Sequence, residues 1–115
     1  MKEVAKFLQT VFSGYQPLVD EVGEKFYWEL GREDDPVPVI TYTIRDIGGR
    51  NKDVKSYEVG IRCYHETMDQ TADLQLLVEE ALKGESRARY VGAESGVTEP
   101  PESEGFIELT YNIKL

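Results

Sequence analysis

Apolar and polar positions change period several times along the chain, and the changes mark its elements. Val4, Phe7, Leu8, Val11 and Phe12 recur at i, i+3, i+4, i+7 and i+8. That is the stripe of an amphipathic helix over residues 3–13, which Ser13-Gly14 ends. After a turn at Tyr15-Gln16-Pro17, residues 18–24 are ambiguous, with a short second turn of helix as one option. Lys25-Phe26-Tyr27-Trp28 is a short β-type run, and residues 29–35 are polar and acidic, as in a loop. Over residues 37–45 the period falls to two: Ile40, Tyr42 and Ile44 face one way, Thr41, Thr43 and Arg45 the other. Pro36 and Pro38 cannot donate to a ladder, so they belong at the start of this strand or on an edge. Residues 46–53 (DIGGRNKD) carry two glycines and predict a turn-rich loop closing an antiparallel hairpin with a long tip.

The clearest block runs from Lys55 to Gly84. Tyr57, Val59, Ile61 and Cys63 share one parity; Ser56, Glu58, Gly60 and Arg62 share the other, the alternation of a half-buried strand over residues 54–64. Thr67-Met68-Asp69-Gln70 predicts a capping box, with the Thr67 hydroxyl serving one helix N–H and the Gln70 side chain reaching back. Leu74, Leu77, Val78, Ala81 and Leu82 form the stripe of the helix that follows, and Gly84 sits where a left-handed C′ residue is wanted. Residues 87–97 read as a weaker strand, interrupted by Gly92 and Gly96, and residues 98–105 (TEPPESEG) as an acidic, proline-broken loop. The last strand is regular: Ile107, Leu109, Tyr111, Ile113 and Leu115 alternate with Glu108, Thr110, Asn112 and Lys114.

Strands apolar on one parity have one face for a core and one for water, and the two helical stripes can cover the apolar one. The expected fold is α+β: a two-layer sandwich with a mainly antiparallel β-sheet of about four strands and two helices packed on one face. A chain of 115 residues suits a single domain over 1–115, able to bury roughly 65% of its unfolded surface without staples.

Charge narrows the partners. Twenty-two acidic residues face 13 basic ones, net −9, and the basic residues are scattered, which argues against a phosphate-neutralising footprint. The acidity is first of all that of a self-repelling, soluble surface. The single cysteine, Cys63, cannot form an internal disulfide and fits a reducing, cytosolic origin. The first dozen residues are too short and charged for a signal peptide, and no run approaches the ~18 apolar residues of a membrane span.

Candidate chemistry is sparse. His65, the one histidine, shares strand parity with Cys63, but a zinc site needs three or four such ligands. Side chains two apart on one strand lie side by side rather than converging as nucleophile and base. Cys63 is therefore expected as a buried filler and His65 as a solvated residue at the strand-to-helix corner. Gly48-Gly49 lacks a phosphate-loop pattern, and the acidic groups lack EF-hand spacing. Tyr27 and Trp28 either anchor a partner or pack at the core or sheet edge. The polar sheet face, from Thr41, Thr43, Arg45, Glu58 and Arg62 to Glu108, Thr110, Asn112 and Lys114, suits solvent or a polar subunit interface.

The order of elements and several local features resemble the small tail-completion (tail-terminator-like) proteins of long-tailed bacteriophages and prophages. Members of that family open with a short amphipathic helix, here residues 4–12, followed by a loop and short strand, here Val22-Gly23-Glu24-Lys25-Phe26-Tyr27. A proline-led strand comes next, here Pro36-Val37-Pro38-Val39-Ile40-Thr41-Tyr42, then the strand-to-helix block of residues 57–64 and 69–82, and two closing strands, here 89–93 and 106–113. The resemblance spans nearly the whole chain and rests on order and pattern. The acidity of residues 29–35 and the glycines of residues 87–97 depart from it.

The resemblance implies a virion structural protein, assembled in the host bacterial cytoplasm, that forms a ring, often a hexamer, at the head-proximal end of the tail tube. Such a ring ends tube polymerisation and offers a surface for head joining. No reaction is catalysed and no cofactor or metal is bound. The implied partners are further copies of the chain, the tail-tube protein and the head-joining protein, with no sequence-specific nucleic acid and no membrane. A ring needs a head-to-tail contact between two different patches; Arg45, Arg50, Lys52, Arg62, Thr110 and Asn112 are the candidates for it. DNA must pass without sticking, so Glu33, Asp34, Asp35, Glu99, Glu102 and Glu104 are candidates for acidic groups facing the channel. Competing readings are a head-closure or connector subunit, a non-viral acidic protein-binding module, and a small enzyme whose pocket residues cannot be identified from sequence.

Overall fold

Among the described residues, eight elements build a five-stranded sheet with helices on one face. The computed structural model describes residues 1–28, 36–51, 54–99 and 104–115, and for 49–51 the backbone only. The elements are α1 (Lys2–Ser13), α2 (Gln16–Val22), β1 (Phe26–Trp28), β2 (Val39–Asn51), β3 (Val54–Tyr64), α3 (Met68–Lys83), β4 (Ala88–Val97) and β5 (Gly105–Lys114). Spatial order in the sheet is β1-β2-β3-β5-β4. Every pairing is antiparallel except the short β1, which runs parallel to β2 with Phe26 opposite Ile40. The architecture is the expected α+β sandwich. The added helix is α2, which begins at the Gln16-Pro17 step the sequence left as a turn; proline is pre-set for a helix's first turn, where its missing N–H has no partner to lose.

The core lies between the helices and one face of the sheet. Val4, Leu8 and Phe12 of α1, Leu18 and Val22 of α2, and Leu74, Val78 and Leu82 of α3 meet Ile40, Tyr42, Val59, Ile61, Leu109 and Ile113. Each such burial contributes ~1.5–3 kcal/mol before conformational entropy is counted. Phe12 and Phe26 pack with ring centroids 5.3 Å apart. Gln9 ties α1 to the sheet edge, its Nε2 donating to Phe26 O at 2.9 Å and to the Tyr42 hydroxyl at 3.0 Å. The α3 stripe begins one turn earlier than expected, with the fully buried Thr71. Its hydroxyl donates to Thr67 O at 2.8 Å, which satisfies this buried polar group.

Three local expectations change. The Thr67 cap forms, its Oγ1 accepting from Gln70 N at 3.1 Å, but the Gln70 side chain accepts the hydroxyl proton at 3.1 Å instead of reaching back to a backbone N–H. Gly84 caps α3 with φ −84°, right-handed backbone open to any residue, so its glycine is not required by handedness. Residues 46–51 are not a loop: β2 continues through them to pair Asn51 with Val54, with register shifts after Asp46 and after Gly48. Gly48 at φ 75° and the Asp46 carboxylate, accepting from Gly48 N at 2.7 Å, build a bulge into the strand.

β4 is also continuous. Tyr90 pairs with Tyr111 and Gly92 with Thr110, so Val91 is an extra, unpaired residue. A bulge of this kind reverses parity. Arg87 and Arg89 before it and Gly92, Glu94 and Gly96 after it therefore occupy the same, open face of the sheet, which explains why the sequence showed no clean alternation there.

Candidate assembly surface

Cross-strand register sorts the open face into bands from one end of the strands to the other. At the first end Gly96 lies opposite Phe106, and Tyr64 opposite Val39. Next come Glu94, Glu108, Arg62 and Thr41; then Gly92, Thr110, Gly60 and Thr43; then Arg89, Asn112, Glu58 and Arg45; and last Lys114, Ser56 and Gly48.

The first band is not polar. Val39, Tyr64 and Phe106 are buried and form a second small cluster with Tyr27 and Val37 packed against it. Tyr64 and Phe106 lie 5.9 Å apart between ring centroids, and the Arg62 guanidinium sits 4.0 Å above the Phe106 ring, within cation–π range. Thr41, expected to be solvent-facing, is buried beside it. Tyr27 packs at this edge, while Trp28, which shares the parity of Phe26, is 37% exposed.

In the middle bands the arginines have carboxylate partners. Arg62 Nε meets Glu108 Oε1 at 2.9 Å and Arg45 Nη2 meets Glu58 Oε2 at 2.9 Å. Burial works against the Arg62 charge, but Glu108 and Tyr64 outweigh it and hold its pKa above the ordinary value. Glu94 stands directly opposite Glu108 on the other side from Arg62, so Arg62 also offsets the repulsion of that like-charge pair. Of the six interface candidates, then, Arg45 and Arg62 are tied down within the chain, and Thr110 faces Gly60 and Gly92. Asn112 lies between Glu58 and Arg89. Lys52 and the Arg50 side chain lie outside the described residues.

The far end of the face is basic. Arg87, Arg89 and Lys114, with Ser56, Ser86, Asn112 and Ile47, line a cleft of about 310 Å³. Both bulges contribute: Ile47, the extra residue of the β2 shift, forms a wall, and the Val91 bulge brings Arg87 and Arg89 to this face. Among the described residues none of the three cations has a carboxylate in ion-pair contact. Sequence reasoning placed Lys114 on the face but missed Arg87 and Arg89, because their side depends on the bulge.

Of the acidic candidates, Glu99 is exposed and Glu104 half-buried. Near them Thr98 N donates to Glu104 O at 2.8 Å and Glu104 N donates to Thr98 Oγ1 at 2.7 Å, which ties the end of β4 to the start of β5. Glu33, Asp34, Asp35 and Glu102 lie outside the described residues.

The Cys63–His65 pair converges on nothing. Cys63 is fully buried, and burial, helped by Glu79, pushes its thiol up to about 12, far from a reactive thiolate. His65 is not solvated: its side chain is 9% exposed and its Nε2 lies 2.7 Å from Glu21 Oε1 on α2. Glu66 N donates to His65 Nδ1 at 2.8 Å, so Nδ1 is the acceptor and Nε2 carries the proton toward Glu21. Among the described residues no three of His, Cys, Asp and Glu gather as metal ligands do, and no helix is long and apolar enough to cross a membrane.

The structure of the bacteriophage SPP1 gp17 protein superimposes on this chain with a TM-score of 0.55 at 16% sequence identity, over 99% of this chain and 89% of that one. The chain shares its fold with a phage protein. No protein-family model matches the sequence, and no curated protein matches it either. At this level of identity the likeness is one of fold, and it extends over both chains almost end to end.

Proposed function

We propose that this chain is a structural subunit of a bacteriophage or prophage tail, a tail-terminator-like protein that forms a ring at the head-proximal end of the tail tube, ends tube growth and supports head joining. The observation that carries the reading is the near full-length likeness of fold to the SPP1 gp17 protein. Its role is assembly, not catalysis: the open sheet face is a graded surface of apolar, paired and basic bands, suited to contact with other proteins. The partners are further copies of the chain, the tail-tube protein and the head-joining protein, and the site of action is the virion.

The net charge of −9 fits a ring through which DNA passes, because an acidic lumen repels phosphate and offers no counterion release on contact. Residues 33–35 or residues 99–104 supply that lining; an assembled ring with both segments on its outer rim would overturn this part.

The test is reconstitution. Purified chain added to polymerising tail-tube protein should cap tubes at one end, stop their growth and form rings visible by electron microscopy. Binding to portal or adaptor protein with no effect on tubes would instead mark a head-closure or connector subunit. Binding to neither would overturn the reading.

A further inference from the structure

The sheet ends on one side in the three-residue β1 and on the other in β4, ten residues long. Among the described residues no strand lies beyond β4, so one row of its backbone N–H and C=O groups has no ladder partner there. No residue of β4 is buried, and Tyr90, Val91 and Val97 are exposed. The charges of the strand are as incomplete as its backbone. Glu94 stands beside Glu108, whose own cation, Arg62, lies on the far side. Among the described residues Glu94 has no cation in ion-pair contact, and Arg89 has no carboxylate. Both lie on the open face of the sheet.

We propose that β4 is the contact for a second copy of this chain, paired antiparallel about a two-fold axis between Val91 and Gly92. In that register Arg89 of each copy lies opposite Glu94 of the other on the open face, and Tyr90 opposite Ala93 on the helix face. Three observations carry it. The first is charge. Residues 88–95 (ARYVGAES) place Arg89 and Glu94 at equal distances from the midpoint, so the strand complements itself when reversed. The joined sheets then carry Arg62, Glu108, Glu94 and the second copy's Arg89 in one row, and the like-charge pair gains a cation on each side. The second is packing. Tyr90 and Ala93 stand opposite the core residues Tyr111 and Leu109, yet both are exposed. Tyr90 rests edge-on against Tyr111, with ring centroids 5.6 Å apart, and across the axis its open side covers Ala93 of the other copy, a large side chain over a small one, twice. The third is the Val91 bulge. A bulge shields an edge from stray strands, because a regular strand loses register across it. A second copy brings its own bulge to the same point, so this edge accepts its own kind. A two-fold contact closes at two copies. It is therefore distinct from the head-to-tail contact of a ring and stands or falls without the tail reading.

The experiment follows self-association of the full chain by sedimentation velocity across a range of concentrations. Wild type should approach a dimer as concentration rises, and do so less readily at high salt. Arg89→Glu and Glu94→Arg each set like charges opposite one another twice across the axis, and each should weaken self-association about tenfold or more. Mixed in equal amounts, the two variants should associate with each other better than either does with itself, because the mixed pair again sets opposite charges together at both places. The double variant R89E/E94R should recover self-association for the same reason. The milder Arg89→Gln and Glu94→Gln should weaken it by less, and a cooperative thermal transition shows that each variant is folded. Backbone amides within residues 88–95 should exchange more slowly with solvent at concentrations where the dimer forms. Wild type that stays monomeric to millimolar concentration, self-association indifferent to both reversals, or reversals whose mixture does not recover it would each overturn the inference, and tube capping decides the tail reading in every case. Assemblies that depend on Arg89 and Glu94 but grow past two copies through that contact would overturn the two-fold geometry.

Discussion

Gly96 lies beneath the ring of Phe106: a Cβ at residue 96 would stand 2.7 Å from Phe106 Cζ and 3.1 Å from Cε2. The ring cannot easily withdraw, because Tyr64 and the Arg62 guanidinium hold it on other sides. Gly96→Ala should therefore overpack the cluster and cost about 1–3 kcal/mol, read as a fall in the urea midpoint at unchanged m-value. Gly92→Ala is the matched control. A Cβ there meets nothing within 4 Å, so its effect should stay within about 0.5 kcal/mol.

Arg62 performs two tasks at once, bridging Glu108 at 2.9 Å and covering Phe106 at 4.0 Å. Its loss also leaves the like charges of Glu94 and Glu108, direct neighbours across the β4–β5 pair, without a compensating cation beside Glu108. Arg62→Ala should cost about 1–2 kcal/mol, the range of a charge-assisted hydrogen bond reduced for partial exposure. Adding Glu94→Gln should return part of that loss. A double-mutant cycle in urea at low and high salt checks both, and additive losses would mean the two glutamates are not coupled through Arg62.

The hydrogen bond from His65 Nε2 to Glu21 Oε1 fastens α2 to the corner where β3 enters α3. A cycle of His65→Ala and Glu21→Gln should give a coupling of about 0.5–1 kcal/mol, since the glutamate is partly exposed. The fold should survive each change, and near-UV circular dichroism of the single variants reports whether it does.

Alkaline pH should weaken the protein through buried groups beneath α3. Burial, then Glu79, pushes the Cys63 thiol from 9.0 up to about 12; burial first, then Glu79, Tyr90 and Cys63 push the Tyr111 phenol from 10.0 up to about 12. The folded state keeps these protons while the unfolded chain releases them. The stability they lend is therefore complete below pH 9 and is lost between about pH 9 and 12, with a slope of up to ~1.4 kcal/mol per pH unit for each group. Thermal midpoints measured from pH 7.5 to 11 should fall above pH 9. Cys63→Ala should flatten the curve from pH 9 upward and Tyr111→Phe from pH 10 upward, with neither altering the slope below pH 9.

Much of this was legible where burial is one-sided and local. β3, α3 and β5 could be read directly, because Tyr57, Val59, Ile61 and Cys63 face the core without interruption and Thr67 caps the helix that follows. β2 beyond Asp46 and the whole of β4 were harder, because Ile47 and Val91 are extra residues that shift the alternation they sit in. The open face was visible as a set of polar positions, including Arg45, Arg62 and Asn112, but its gradation was not. The apolar end needs Val39, Tyr64 and Phe106 to meet from three strands, and the cleft needs Ser56, Lys114 and Arg89 in one register. His65 was misjudged for the same reason: its partner lies 44 residues earlier in the chain.

The number of residues in β4, more than their kind, decides where its charge goes. Val91 acts as a frameshift written in space: everything before it is displaced by one half-period relative to everything after it. A chain lacking Val91 would keep its composition almost intact and its net charge unchanged. Yet Arg87 and Arg89 would turn beneath the helices, or Gly96 would leave its place under Phe106. One exposed apolar residue, paired with none on the partner strand, thus determines which face of the sheet carries the charge.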